Sequence, residues 1–392
     1  MTAIELLDII GAGETSKVQF KREIGSDDSI AAEMIAFSNS KGGIILFGIE
    51  DKKGDVLGLD YQQLQTINNK IAQIANDKVK PQIFLFTEVV SIPTESSEKK
   101  ILVVQISEGI SKPYKDNSGA IWIKQGSDKR RLTDSNEQIR LFQQSGLLYL
   151  DEMIIPNTTT EDIKLSDVEK YLEKILKKKA ENIVITETIL SNLNILKEKR
   201  LTLGGLLFFA KYPQKYRPVF CVKAVSFFGN SIGGTEYRSS QDIEGTIPQI
   251  FEEAMRFFTT NLHHVQAGQN FNSVGKLEIS QIALEELLQN ALIHRDYSKN
   301  SPVKIFIFDN RIEIVSPGAL PNSLTIENIK MGSAVVRNNL LVSYCAKMMD
   351  YRGIGSGITR ALDDQPNIEL INDVDGEQFK VIIPRLEKQL RA

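Results

Sequence analysis

The stretch from Leu284 to Tyr297 reads LEELLQNALIHRDY, and its spacing decides how the last third of the chain is built. Leu284, Leu287, Leu288 and Ala291 recur every three or four residues, the apolar stripe of a helix. Glu286, Asn290 and His294 recur every four and make a second, polar stripe on the same helix. A carboxylate one turn before an amide suits magnesium and water. The amide oxygen can ligate Mg2+, which prefers oxygen, and the carboxylate can orient or deprotonate a water. Such a pair alone also arises by chance on surface helices.

The flanking segments give the pair a context. Val303–Phe308 and Arg311–Val315 read as strands of a hairpin that turns at Asp309-Asn310 and closes on Ser316-Pro317-Gly318. Further on, Gly353, Gly355 and Gly357 alternate before a helical run. Glycines there let backbone N–H groups approach an anion, and the helix N-terminus favours phosphate. Upstream, the spacing predicts a helix over Leu203–Ala210, a strand over Val219–Phe228, a glycine-rich loop over Gly229–Gly234 and a helix over Thr246–Leu262. Ser166–Glu181 is a Lys/Glu-rich helix with Val168, Leu172, Ile175 and Leu176 as its apolar stripe; Lys177-Lys178-Lys179 forms its solvated end. The neighbouring His263 and His264 point about 100° apart on a helix, so they read as surface rather than as a metal pair.

The first 146 residues mix helix and strand. Asp28–Ser38 and Asp134–Leu141 read as helices, and Ile44–Glu50, Ile83–Val90, Lys100–Ile106 and Ile121–Lys124 as strands. Glu14, Lys17, Phe20, Lys21 and Glu23 form a charged entry, and Lys129, Arg130 and Arg131 follow a Gly-Ser turn. Basic side chains there could straddle a phosphate backbone, with Lys17, Lys21, Arg22 and Lys124 as further candidates.

Bulk properties bound these readings. At about 100–200 residues per domain, 392 residues predict two or three domains. No apolar run approaches the ~20 residues needed to cross a bilayer, and the N-terminus lacks a signal-peptide pattern. Cys221 and Cys345 stand far apart in apolar contexts, which fits buried thiols in a reducing, cytoplasmic setting. The net charge of −3 weighs against a wholly basic nucleic-acid binder but leaves room for a local patch. No Walker A pattern occurs, so a helicase motor is not expected.

The order of helix, hairpin, Gly turn and Gly-rich loop over residues 275–385 resembles the GHKL (Bergerat) ATP-binding fold, in the divergent branch of RecG-related transcriptional regulators. The matching residues are Asn290–Tyr297, Ser316–Pro321, Arg337-Asn338 and the Gly353–Gly357 loop. The resemblance implies ATP with Mg2+. Glu286 would be the water-activating base and Asn290 the Mg2+ ligand. His294, Ser316, Gly318, Arg337, Gly353, Gly355 and Gly357 would surround the nucleotide, and residues 319–352 would form its lid. Ser316 stands where the wider family has an aspartate that accepts from the adenine amino group, so base selectivity should be weaker.

The N-terminal series Ala36–Asn39, Lys41–Gly43, Phe47–Asp51, Ser111–Tyr114 and Ile123–Ser127 resembles the Schlafen AlbA-type DNA-binding domain over residues 12–145. In nuclease-competent members three carboxylates form the site. Here Glu14 is followed at the second position by Gln19, and Asp51 is the remaining acid, so binding without cleavage is expected. Many relatives continue into a winged helix after the GHKL domain. The sequence stops at Ala392 without one, which weighs against a sequence-specific transcription factor.

The expected protein is therefore α+β and multidomain: a Schlafen AlbA-type domain over 1–146, a linker and middle α/β segment over 147–265, and a divergent GHKL α/β sandwich over 266–392. Its expected work is nucleotide-responsive binding of DNA or RNA, with switching of conformation or homo-oligomerisation through the lid. The alternatives are a weak ATPase, with residual nuclease activity at Glu14 and Asp51, and an assembly module with a degenerate pocket.

Overall fold

A computed structural model describes residues 1–51, 54–93, 98–177, 183–233, 236–265, 275–321, 324–349, 351–353 and 355–385, without the side chains of Asn136 and Gln144. The loop expected at 94–97, the later part of the lysine run, Gly234, part of the expected lid and Ile354 lie outside the described residues. The chain divides into two compact units, Met1–Leu148 and Tyr149–Ala392. Among the described residues no helix is long and apolar enough to cross a membrane.

The first unit begins with helix α1 (Ala3–Ala12), started by a capping box in which Thr2 and Glu5 satisfy each other's backbone N–H. Strand β1 (Val18–Lys21) follows, then α2 (Asp27–Asn39), β2 (Gly43–Phe47), α3 (Tyr61–Lys78), β3 (Leu85–Pro93) and β4 (Glu98–Ile106). Strands β5 (Trp122–Gln125) and β6 (Asp128–Arg131) form a separate hairpin ahead of α4 (Ser135–Gln144). The main sheet has the order β1-β2-β4-β3. Its inner strand β2 pairs parallel with β1 and antiparallel with β4, which explains its continuous apolar run. Helix α2 is buried along most of its length, and its Phe37 ring lies so close to Gly43 that any Cβ there would collide with it. Helix α3 seats Leu64, Ile67, Ile71 and Ile74 in the same core.

The second unit opens with a one-turn helix at Leu150–Glu152, then α5 (Leu165–Leu176), α6 (Glu187–Asn192), the short pair β7 (Leu196–Lys197) and β8 (Arg200–Leu201), and the buried α7 (Leu203–Phe209). Strands β9 (Val222–Phe227) and β10 (Tyr237–Ile243), helix α8 (Ile247–Asn261) and the short pair β11 (His264–Val265) and β12 (Lys276–Leu277) come next. They lead into α9 (Gln281–Ile293), β13 (Val303–Ile307), β14 (Arg311–Pro317), α10 (Ile326–Lys330), α11 (Asn339–Met348), α12 (Ser356–Asp364), β15 (Glu369–Asp373) and β16 (Gln378–Pro384). The six-stranded sheet runs β10-β9-β13-β14-β16-β15, with β9 and β13 parallel and the remaining neighbours antiparallel.

A division at 265/266 has no counterpart in this packing. Strands β9 and β10, expected to belong to a separate middle segment, complete the sheet of the C-terminal fold, and one hydrophobic core runs from Ile155 to Ile383. The physical reason is that β13 would otherwise leave an unpaired edge. His264 lies in β11 rather than on a helix, so the helical argument about the two histidines does not apply; both are exposed.

The pocket described below depends on where α11 starts. Its cap residue Asn338 makes no side-chain cap bond. Instead the fully buried Asp151, from the one-turn helix, accepts from Leu341 N at 3.0 Å. Its other oxygen has no partner. Burial pushes the Asp151 carboxyl up to about 6, against the pull of the Leu341 and Leu340 amides. A raised carboxyl pKa means the folded state holds the proton more tightly. The associated stability is full below about pH 4 and is lost as pH rises through 6. Asp151→Asn keeps an acceptor but cannot ionise. Its stability relative to the native chain should therefore rise between pH 4 and pH 7, by on the order of 2 kcal/mol. Paired thermal melts across that range check this, and a pH-independent difference would contradict it.

Candidate functional site

Helices α9 and α12, the end of β14 and described residues between 319 and 353 enclose a cleft with about 1040 Å³ of atom-free space, its open mouth included. Glu286, Asn290 and His294 all line it, as the polar stripe requires, and so do Ser316, Gly318, Arg337, Gly353, Gly355 and Gly357. The structure thus gathers the nine residues expected at the nucleotide.

Individual roles differ from the simplest expectation. Gly357 lies directly over α9, where a Cβ would collide with Glu286 Oε2 and sit 3.2 Å from Asn290 Nδ2. It is small because two helices touch there. Gly355 has φ +80°, and a Cβ would strike the carbonyl of Gly332. Ser316 donates its hydroxyl to the Ala291 carbonyl at 2.9 Å, so toward a ligand its oxygen can only accept. Arg337 donates to the carbonyls of Ala319 at 2.7 Å and His294 at 3.3 Å, which ties the region after β14 to the end of α9. Burial, with Arg337 adding its charge, pushes His294 down to about 4, so the ring is neutral near pH 7. Its Nε2 lies 2.9 Å from the Tyr351 hydroxyl, whose proton affinity burial raises.

The rest of the 290–297 stretch is scaffold. Arg295 is buried between the rings of Phe220 and Tyr297 and donates to the carbonyls of Lys299 and Ser301. Tyr297 donates to Leu292 O at 2.9 Å, and Asn338 donates to Ile293 O and Arg295 O.

One participant has no counterpart among the expected site residues. Arg360, on α12, forms an ion pair with Glu286 of the adjoining α9. Burial raises the Glu286 carboxyl; Arg360 lowers it, Glu285 raises it, and Arg352 lowers it, with a net upward shift. Glu286 Oε2, Asn290 Nδ2 and Arg360 Nε are all buried and all lack partners. Unpaired buried polar atoms are costly, so three of them at one wall mark a place built for a polar ligand. The positions Gly357 and Arg360, three apart on one helix face, were the available signal for Arg360.

The first unit holds a second constellation. Glu14 Oε1 accepts from Gln19 Nε2 and from the backbone N–H of Phe20. Lys124 Nζ donates to Gln19 Oε1 at 3.1 Å, Glu33 Oε1 at 2.7 Å and Ser127 O at 2.6 Å. Lys129 Nζ meets the other Glu33 oxygen at 2.8 Å. The Lys124 and Glu33 side chains are each 2% exposed, so Lys124 is an internal counter-charge and not a surface phosphate contact. Lys124 and Lys129 are cross-strand neighbours of the β5–β6 hairpin, which puts both on the same face, toward Glu33. Arg130 falls on the alternate face and pairs with Glu137 at 2.6 Å, while Arg131 is exposed. The 129–131 run is therefore not one basic surface. Lys17 and Arg22 are exposed, and Lys21 pairs with Asp51 at 3.0 Å. Glu14 and Asp51 are thus held by different partners. Among the described residues no three His, Cys, Asp or Glu side chains are placed to hold a metal.

Around this network Asn39 donates to the carbonyls of Tyr114 and Trp122 and accepts from Tyr114 N. Segments expected to act together from the sequence, 36–39, 111–114 and 123–127, are joined by these bonds and by Lys124 N to Ser40 Oγ.

The architecture is thus a mixed α/β, multidomain protein. The chain carries an N-terminal Schlafen AlbA_2 domain, matched over residues 14–133, and a C-terminal domain matched over residues 300–383 by the family described as "Putative ATP-dependent DNA helicase recG C-terminal". A domain of unknown function (DUF8451) matches residues 140–222. Glu286, Asn290 and His294 lie just outside the C-terminal match, and Arg337, Gly353, Gly355, Gly357 and Arg360 lie inside it. No curated protein sequence matches the chain. Among solved structures, the DIP2311 protein from Corynebacterium diphtheriae is 18% identical with a TM-score of 0.47, covering 97% of this chain and 80% of its own.

Replacing Lys124 with Met should destabilise the first unit by about 3 kcal/mol, the lower end for breaking a buried pair, because Lys129 still partly neutralises Glu33. Trp122 is the chain's single tryptophan and lies in this unit, so its fluorescence during urea unfolding reads the change. A loss below about 0.5 kcal/mol, the scale of exposed pairs, would mean the network is not buried in solution.

Proposed function

We propose that the chain is a nucleotide-responsive nucleic-acid-binding regulator. Its C-terminal cleft takes ATP with Mg2+, and its AlbA_2 domain contacts DNA or RNA. The observation that carries the nucleotide half is the wall of unpartnered polar atoms at Glu286, Asn290 and Arg360, beside the Gly353–Gly357 turn.

The residues fit a magnesium-bound polyphosphate. Asn290 and Glu286 offer oxygen donors one helical turn apart, and Mg2+ completes its shell from phosphates and water. Bound there, the ion would neutralise phosphate charge. Ser316, bonded to Ala291 O of the same helix α9, can accept one hydrogen bond from a ligand, and the aliphatic groups of Ile314, Leu320 and Ile329 supply an apolar lining for a ring. Residues 319–352, which include Arg337 and Tyr351, act in this reading as the lid whose position reports occupancy. A second reading, slow ATP hydrolysis, is favoured by Glu286: burial raises its proton affinity in the direction a general base needs.

ATP or a non-hydrolysable analogue should raise the melting temperature, with a larger rise when Mg2+ is present. Asn290→Ala should remove most of the Mg2+ dependence and leave a smaller nucleotide effect. No shift at millimolar nucleotide would mean a degenerate pocket.

For the nucleic-acid half, the exposed Lys17, Arg22 and Arg131 are the proposed phosphate contacts, with Lys129 held by the buried Glu33 and with Lys21 and Arg130 paired to the more exposed Asp51 and Glu137. Replacing the three exposed residues with Ala should weaken binding about equally across unrelated sequences. It should also flatten the salt dependence by up to about 0.9 per lost contact on duplex DNA. Electrophoretic shifts at several salt concentrations decide this. An unchanged slope would remove these residues from the interface.

A further inference from the structure

The ion pair between Arg360 and Glu286 lines the same cleft as Gly353, Gly355 and Gly357, and this has consequences for how the cleft fills. Glu286 is 92% buried, counting its 8% exposure, so an ionised carboxylate there needs a nearby cation. Arg360 supplies one. Arg360 is itself only partly satisfied: its Nη2 reaches Glu286 Oε1 while its Nε–H is buried without an acceptor. The carboxylate is likewise half used, since Oε2 has no partner. A guanidinium with five donors in a planar fork matches two acceptors on one group best. Against Glu286 it has not found that arrangement.

A polyphosphate entering the cleft brings several negative charges close to Glu286. A carboxylate and a phosphate both compete for the guanidinium, and the phosphate offers more oxygens in a better geometry. Gly357 lies one turn before Arg360 and directly over Glu286 and Asn290, so nothing larger than hydrogen stands at that point. Arg352, which also lines the cleft, adds a second positive charge to the same region.

We propose that Arg360 is a phosphate-responsive latch: in the ligand-free cleft it neutralises Glu286, and a phosphate group of the bound nucleotide draws it away. Arg360 is then a positioning residue that makes phosphate binding and release of Glu286 one event. Glu286, once released, can turn its oxygens to the magnesium side or to water. The inference rests on the nucleotide reading given above and names the group within that site that senses the phosphates.

The test separates the phosphate end of the ligand from the base end. Binding of ATP, inorganic tripolyphosphate and adenosine, each with Mg2+, is measured by calorimetry on the native full chain and on Arg360→Ala and Glu286→Gln. Arg360→Ala should weaken ATP and tripolyphosphate about tenfold or more, the range of a charge-assisted hydrogen bond, and leave adenosine unchanged. Glu286→Gln, compared with the native chain in a second series without Mg2+ so that the loss of an oxygen donor to the ion does not enter, should tighten both phosphate ligands by a few-fold, because the guanidinium no longer leaves a carboxylate to reach them. Arg360→Lys keeps the charge without the fork, should fall between the native chain and Arg360→Ala, and serves if the alanine variant does not fold. Unchanged phosphate affinity in both Arg360 variants, equal losses for adenosine and ATP, or no gain in Glu286→Gln would each overturn the latch while leaving the nucleotide reading intact. If the native chain binds neither ATP nor tripolyphosphate, the nucleotide reading fails and the latch fails with it.

Discussion

How closely α12 can lie on α9 sets the geometry of the whole C-terminal cleft. The contact point is Gly357, where a Cβ would have to displace the Glu286 carboxylate and would crowd Asn290. Close approach buries Glu286, and burial forces a counter-charge, which arrives from the next turn of the same helix as Arg360. Ser280, at the start of α9, bonds Asp364 at the end of α12, so the two helices are tied at that end too. With α12 fixed, the Gly355 turn meets the Gly332 carbonyl, and the region after β14 is closed by Arg337 on the carbonyls of His294 and Ala319. The cleft therefore follows from one small residue and the charges that its smallness brings together.

In the N-terminal unit, too, a buried carboxylate is met by cations from another element. Glu33 lies on the inner side of α2, and its two oxygens are each taken by a lysine from the β5–β6 hairpin. Gln19, in place of a carboxylate, accepts from the same Lys124 ammonium and donates to Glu14. A third acid at position 19 would add negative charge to a cluster whose two lysines are already balanced by Glu33 and Glu14. The amide keeps the hydrogen-bond pattern without that charge.

Much of this was legible in the sequence. The polar stripe of Glu286, Asn290 and His294 needed only the helical period, and the strands at 303–307 and 311–317 needed only their apolar runs. What escaped was decided by partners far away in the chain. Strand β10 is exposed along nearly all its length and carries no alternation to read. Its place is set by pairing with β9. Helix α3 reads as polar, with six glutamines and asparagines among its first thirteen residues hiding its apolar stripe. Lys124 and Lys129 looked like surface because nothing local announces that Glu33, some ninety residues earlier, is waiting beneath them. Asp151 reads as a loop residue until α11 arrives 190 positions later to be capped by it.

The parallel pairing of β9 with β13 separates what is recognisable from what can stand alone. The C-terminal family match begins at residue 300 and takes in β13, β14, β15 and β16, four of the six strands. A fragment cut at that boundary, or at 266, would keep the glycine-rich turn yet strip β9 from Val303–Ile307. It would bare a row of backbone donors and acceptors that invites intermolecular pairing. The heritable module and the folding module are thus different lengths of the same polypeptide. On the ribosome, β9 must wait for nearly eighty more residues to emerge before its parallel neighbour exists.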